Sequence, residues 1–480
     1  MGVNPRPVVG ILGYGSYVPY WRLARSTIRA ATGVARGAGA RAVAGYDEDS
    51  TTLAVEAARD ALRTSQVPAR ACDALVLATS SPVYADKTNA TALHAALGLR
   101  ESAHVADAAG AVRSGVAALL SSLYRPGATV VALSDLRSGP SGSPDEARGG
   151  DGAAAFVVGD DSRGDLVAEL IGAGSASREF LDRWRAPGEP WSATWEERFG
   201  EDLYRELGAS SVEQALKQAG ITAGEVDHFA VTGLSDRAAA KLGRAIGIDR
   251  AKVADDLVDR IGNCGAAHPG LLLAALLDVA GPGRTVAVTV LADGADTLVF
   301  RTTAAHRPRT VGVEQQIGRG TGEVSYVDFL TWRGLVERQQ PRRPDPDRAV
   351  APATNRQLDW KFGFTCSECG SCGTRHLPPQ RVCLRCGTVD SMTPKRLADT
   401  AATIATYTVD HLAFSLAPPV VGAVVDFDGG GRYTCELTDL TVDGLAVGQR
   451  VGMTFRRVSS TDGIHNYFWK AKPLNEGRPA

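Results

Sequence analysis

Four cysteines toward the C-terminal end stand as Cys369-x-x-Cys372 and Cys383-x-x-Cys386. Each pair closes a tight knuckle that points two thiolates at one ion, and two knuckles complete a closed, tetrahedral, structural zinc site. Pro378 and Pro379 stiffen the stretch between the pairs, and Gly370, Gly373 and Gly387 permit the turns. Cys366-x-x-Cys369 has the same spacing and offers another first pair. A glycine follows both Cys372 and Cys386, so the knuckles of Cys369, Cys372, Cys383 and Cys386 are alike, and these four are the expected ligands.

A second set of reactive side chains lies in Gly262-Asn263-Cys264-Gly265-Ala266-Ala267-His268-Pro269, a polar turn before an apolar helix expected over residues 270–280. Asn263 can donate to an enolate or oxyanion; its plainer role is a cap or turn residue. Cys264 can serve as a nucleophile and His268 as a general base, although a lone cysteine is more often inert and an unpaired histidine more often caps or packs. Residues 107–120, DAAGAVRSGVAALL, are dense in small side chains that let helices approach closely. They mark a central, buried helix whose start suits an activated nucleophile or an acyl oxygen. Gly10-x-x-Gly13-x-Gly15 lacks the dinucleotide fingerprint, because Gly15 runs into Ser16-Tyr17-Val18-Pro19 and not into a helix. A turn after the first strand is expected there.

The elements that must position these groups follow from patterning. At 480 residues and 44% apolar content the chain supports two or more domains with large cores. A net charge of −2 gives no footprint for nucleic acid or an anionic membrane. No apolar run reaches membrane-span length, and the first residues read as a strand, not a signal peptide. Gly2 is no myristoylation site, since Arg6 stands where Ser or Thr is needed. Eight cysteines, four of them assigned to zinc, fit a reducing, cytoplasmic compartment, where the Asn89-Ala90-Thr91 sequon has no meaning.

Between residues 7 and 303, short apolar runs alternate with Ala-rich stretches, as in a layered α/β domain. Strands are expected at 8–12, 74–78, 129–133 and 153–158, and helices at 51–62 and 110–123. CDALVLAT at 72–79 echoes VDHFAVTG at 226–233, and GDGA at 150–153 echoes ADGA at 292–295, which implies two duplicated halves. Segments 36–48 and 136–149 read as mobile loops. Residues 340–352 are Pro- and charge-rich and read as an extended linker. Beyond the cysteines, five short β-rich runs (401–409, 420–427, 432–440, 450–457, 467–471) and the hairpin turn Asp428-Gly429-Gly430-Gly431 suggest a small Greek-key barrel of OB type.

Taken together, the duplicated halves, GDGAAAFVV at 150–158, AGAVRSGVAALL at 109–120, GNCGAAHP at 262–269 and the segment at 179–204 resemble the thiolase superfamily, in its 3-hydroxy-3-methylglutaryl-CoA synthase-like branch. Residues 355–475, with TCSECGSCGTRHLPPQRVCLRCG, PPVVGAVVDFDGGG and NYFWK, resemble the zinc-ribbon/OB-fold family that accompanies such enzymes, here fused. The resemblance implies an α/β fold of duplicated αβαβα layers, followed by a zinc ribbon and a small OB-fold β-barrel. It divides the chain into halves 1–165 and 166–305, a linker 306–360, a zinc ribbon 361–392 and an OB-fold domain 393–480.

Three departures from the family pattern matter. Val112 stands where the nucleophilic cysteine belongs, Ser80 where the general-acid glutamate belongs, and Val231 or a neighbour where the histidine belongs; Asn263 alone survives. A valine carries no acyl group. The resemblance therefore implies carbon–carbon chemistry on an acyl-CoA or acyl-carrier substrate, of aldol or retro-aldol type, without a cysteine acyl-enzyme. Ser80, Ser81, Tyr84, Asn263, Cys264 and His268 are the polar residues expected around the cavity. Coenzyme A enters as part of the substrate, and the implied assembly is a homodimer, with a thiolase-like partner enzyme as a further partner. The competing readings are a non-catalytic acyl-CoA-binding partner and an acyltransferase that uses Cys264.

Overall fold

The computed structural model describes residues 7–34, 37–195, 197–339 and 348–474. It divides into two compact units. The first comprises Met1–Ala44, Leu53–Thr91 and Leu99–Thr321, the second Gly45–Thr52, Ala92–Gly98 and Gly322–Ala480.

The first unit is built on a nine-stranded mixed sheet. Its strands are β1 (Val9–Tyr17), β2 (Ala74–Thr79), β3 (His104–Ala109), β4 (Thr129–Leu136), β5 (Asp151–Asp160), β6 (Ala168–Ala176), β7 (His228–Gly233), β8 (Thr285–Leu291) and β9 (Ala295–Thr302). The helices that matter for the site are α1 (Ser50–Ser65), α2 (Ser114–Leu123), α3 (Glu197–Ala219) and α4 (His268–Val279). The sheet order is β7-β8-β9-β6-β1-β5-β4-β2-β3. About the short β1–β6 seam, where Gly10 faces Glu169 and Ile11 faces Ala168, the two halves mirror each other. In each, an inner strand pairs antiparallel with a second, that one antiparallel with a third, and the third parallel with a fourth. The first half adds β3 in parallel with β2. The second half has at that place only an isolated parallel bridge, Phe229 to Val253. The duplication read from residues 72–79 and 226–233 is thus the pair β2 and β7.

The inner strands are near-continuous apolar runs because both faces are covered. Residues of β5, α2 and α4 share one core with β8 and β9, and α3 closes a second core over β7, β8 and β9. The GxxGxG stretch forms no turn. It lies inside β1, where Cβ atoms at Gly13 and Gly15 would fall 2.3 Å from the α1 backbone at Ser65 and Ala57. The glycines let the helix lie against the strand. Segments expected as loops hold short elements: a strand at Ala40–Val43, and a helix at Pro144–Arg148 whose N-cap Ser143 accepts from Glu146 N. Helix α2 starts at Ser114 rather than at residue 110, since Gly110 has φ of 114° and residues 110–113 form a turn.

The second unit contains a three-stranded sheet of β10 (Thr365–Cys369), β11 (Arg375–His376) and β12 (Met392–Arg396), with β10 in the centre. A closed barrel follows, from β13 (Ala402–Asp410), β14 (Val420–Phe427), β15 (Arg432–Leu437), β16 (Arg450–Thr461) and β17 (Ile464–Pro473), in the order β13-β14-β15-β17-β16. Closure removes exposed strand edges. Phe455 and Trp469 are fully buried within the unit. So are the cations Arg456 and Lys470, which this unit neutralises with Asp47, Glu48, Asp439 and Glu436. The segment 306–360, read as a linker, carries helices at Val313–Arg319, Tyr326–Trp332 and Ala351–Arg356. The first two form because Val313, Ile317, Phe329 and Trp332 have cores to enter. Residues 340–347 of the Pro-rich stretch lie outside the described residues.

Candidate active site and metal centre

Val112 sits in the turn between β3 and α2 and is 7% exposed. Its neighbour Arg113 reaches across to the loop that opens β9. It pairs with both oxygens of Asp296 at 2.7 and 3.1 Å and donates to Asp293 O at 2.8 Å. Gly115, in the first turn of α2, must be small, since a Cβ there would lie 2.1 Å from Ala266 O. The 262–269 turn and the start of α2 are therefore in backbone contact.

Asn263 is held at both ends. Its Nδ2 donates to Gly233 O at 2.9 Å, and its Oδ1 accepts from Gly265 N at 2.9 Å. The side chain is only partly buried, and an amide nitrogen has a second N–H to give. Cys264 is sealed at 0% exposure, and burial first, then the charge of Asp151, pushes its thiol far above the usual range. Burial disfavours the thiolate that a nucleophile needs, which weighs against the substitute-nucleophile reading. His268 is also fully buried. Its Nδ1 accepts from Cys264 N at 3.2 Å, so Nε2 carries the proton and donates to Asp256 O at 2.8 Å. Burial holds the ring below the usual histidine value, hence neutral. With both ring nitrogens engaged by backbone groups, His268 braces the turn.

Ser80 does not offer a free hydroxyl either. Its Oγ donates to Asp135 Oδ2 at 2.7 Å and accepts from Arg137 Nη1 at 3.1 Å, while its carbonyl accepts from Arg185 Nη2 at 2.6 Å. Asp135, fully buried at the end of β4, is the hub. It accepts from Thr79 Oγ1, Ser80 N, Ser80 Oγ, Ser81 Oγ and Ala266 N, all at 2.7–3.0 Å. One carboxylate thereby ties the end of β2 to the 262–269 turn. Tyr84 is partly exposed in the loop after β2. Asn89 clamps its backbone, accepting from Tyr84 N and donating to Tyr84 O, both at 3.0 Å. Asn89 N in turn donates to Asp107 of β3 at 2.7 Å, which fixes the Tyr84 loop to the strand leading into Val112. The Asn89 sequon residue is thus an internal clamp, 3% exposed.

Sequence reasoning missed Asp135, Arg137 and Arg185. A charged Asp-Leu-Arg immediately after the apolar run of β4 was the available signal, because catalytic groups of layered α/β folds gather at the carboxyl ends of strands.

The four expected cysteines converge, with all Sγ atoms within 4.8 Å of one another. Cys369 and Cys386 are 3.7 Å apart and Cys372 and Cys383 are 3.6 Å apart. A tetrahedron with Zn–S bonds of about 2.3 Å has edges of about 3.8 Å, so the cage fits zinc. The knuckles are alike. Gly373 N and Gly387 N donate to Cys369 O and Cys383 O at 2.8 and 2.9 Å, with both glycines at φ near 70° (69° and 73°). Cys366 is outside the cluster, buried in β10.

The mirrored halves around paired buried helices define a thiolase-like fold, and the solved structures agree. PksG, an HMG-CoA synthase from Bacillus, superposes with a TM-score of 0.58 at 18% identity, covering 68% of this chain and 89% of that one. An HMG-CoA synthase complexed with CoA gives 0.58 at 19% identity over 72% and 94%. The hydroxymethylglutaryl-CoA synthase of Methanopyrus kandleri is 30% identical over 311 residues, 62% of this chain and 87% of that protein. Residues 395–456 match the family described as ChsH2, C-terminal OB-fold domain. The chain belongs to the hydroxymethylglutaryl-CoA synthase family and carries an OB-fold domain in addition.

Proposed function

We propose that this protein performs carbon–carbon bond chemistry on an acyl-CoA or acyl-carrier thioester, of aldol or retro-aldol type, without a cysteine acyl-enzyme. The observation that carries this reading is Val112. It is buried in the turn before α2, and Cys264, the thiol of the neighbouring 262–269 turn, is sealed, with burial favouring its protonated form. Acyl transfer to protein has no acceptor there, whereas enolate chemistry needs none. In the cleavage direction a base takes the β-hydroxyl proton, the Cα–Cβ bond breaks, and the electron pair passes to the thioester enolate. Asn263 gives the enolate oxygen its second N–H, held in aim by Gly233 O and Gly265 N. Tyr84, on its Asn89 clamp, is the candidate to carry the hydroxyl proton. The four cysteines would hold a structural zinc that contributes folding and no chemistry to the reaction.

The test offers a panel of 3-hydroxyacyl-CoAs, tertiary alcohols included, and follows ketone or aldehyde release. Asn263→Ala is expected to lower turnover about a hundredfold, the cost of one oxyanion donor, with CoA affinity retained. Binding without any cleavage or addition, indifferent to Asn263→Ala, would replace this reading by that of an acyl-CoA-binding partner.

A further inference from the structure

Two guanidinium groups converge on Ser80 from different elements. Arg137, just beyond β4, reaches its hydroxyl at 3.1 Å, and Arg185, from the segment after β6, reaches its carbonyl at 2.6 Å. Neither makes an ion pair among the described residues, unlike the adjacent Arg183, which is held by both oxygens of Asp145 at 2.8 and 2.7 Å. Asp135, the buried carboxylate that shares Ser80 with them, is saturated by its five donors. Arg137 is pulled below the usual guanidinium value by burial, with Arg183 and Arg185 acting in the same direction against Asp135 and Asp145. A partly buried arginine pair without its own carboxylate is electrostatically incomplete, and its fork geometry suits one planar anion.

We infer that Arg137 and Arg185 form a binding site for a carboxylate on the acyl part of the substrate, a carboxyacyl thioester. The location selects carboxylate over a nucleotide phosphate. Ser80 is linked through Asp135 to Ala266 N, and Ala266 O packs on Gly115, three residues from Val112. The pair is therefore tied through Ser80 and Asp135 to the turn that carries Asn263 and to the start of α2, where the proposed chemistry puts the acyl group and not the nucleotide. The chain also has a serine where an internal acid would otherwise face Arg137. The substrate's carboxylate supplies that missing charge.

The inference rests on the acyl-CoA reading, and the experiment separates the two. Calorimetry on the full-length protein compares glutaryl-CoA with valeryl-CoA, a near-isostere without the charge, and with free CoA and inorganic phosphate. The expected result is glutaryl-CoA binding about tenfold or more tighter than valeryl-CoA. Arg137→Gln and the more exposed Arg185→Gln each remove that preference, leave free CoA affinity unchanged, and Arg183→Gln preserves the preference. Since Arg185 is a surface residue, its variant keeps the test open should Arg137→Gln fail to fold. Equal affinities for the two thioesters overturn the carboxylate site alone. A parallel loss of CoA or phosphate affinity in the arginine variants overturns it in favour of a phosphate site. Failure of every thioester and of CoA to bind overturns both readings.

Discussion

Ser80 Oγ donates to Asp135 Oδ2 at 2.7 Å, so the hydroxyl at the position that the family resemblance gives to a general acid is committed to a buried carboxylate. Removing the two groups should have unequal effects. Ser80→Ala deletes one hydrogen bond and is expected to cost about 1 kcal/mol. Asp135→Ala leaves several buried donors without an acceptor and is expected to cost on the order of 3 kcal/mol or more. Urea denaturation of both variants checks this. Equal midpoints would show that Asp135 is not the hub.

His268 gives the fold a histidine that resists protonation. It is neutral when folded, because burial holds it below the ordinary value of 6.5 that it regains on unfolding. Below about pH 6.5 the unfolded chain takes up a proton that the folded chain refuses, so stability falls with falling pH and levels off above that value. His268→Asn keeps an acceptor for Cys264 N and removes the titration. The expected outcome is a shallower loss of stability between pH 7 and 5, read from denaturation midpoints. His228, His306 and His465 are lowered by burial too and retain the remaining slope.

Cys264 is expected to stay unmodified. Intact-mass analysis after incubation with acetyl-CoA and longer acyl-CoAs should show no acyl adduct, and iodoacetamide should reach Cys264 only on unfolding, since the thiol is fully buried. An acyl group mapped to Cys264 in native protein would reverse the assignment of the chemistry.

The four-cysteine cage predicts one zinc per chain. Cys383→Ser should abolish it by elemental analysis and lower the melting of the ribbon, while the far larger first unit keeps its own transition. Stoichiometric zinc in that variant would reassign the ligands.

The knuckle spacing was legible in the sequence because a C-x-x-C turn is local, and its two glycines follow from the φ it requires. Strands β1, β2, β4 and β5 of the sheet were legible because buried strands read as apolar runs. The roles of Ser80, Cys264 and His268 were not. A side chain's chemistry depends on what it meets across the fold, and Asp135, 55 residues from Ser80, meets it only when β4 lies beside β2. The helices at Val313–Arg319 and Tyr326–Trp332 were missed for the same reason. They are short, and what fixes them is burial of Ile317 and Trp332 rather than propensity.

The barrel's buried cations have a consequence for modularity. Arg456 and Lys470 find Asp47 and Glu48 more than four hundred positions upstream in the chain, in a stretch that belongs to the same compact unit. A gene fragment that begins at Gly322 encodes both bases, Glu436 and Asp439, but neither Asp47 nor Glu48. The OB-fold cassette is therefore not excisable at its apparent boundary. Transplanted alone, it would keep Asp439 beside Arg456 and Glu436 beside Lys470 but lose two buried acids that also face these cations, and restoring the full set would require residues 45–52 in trans.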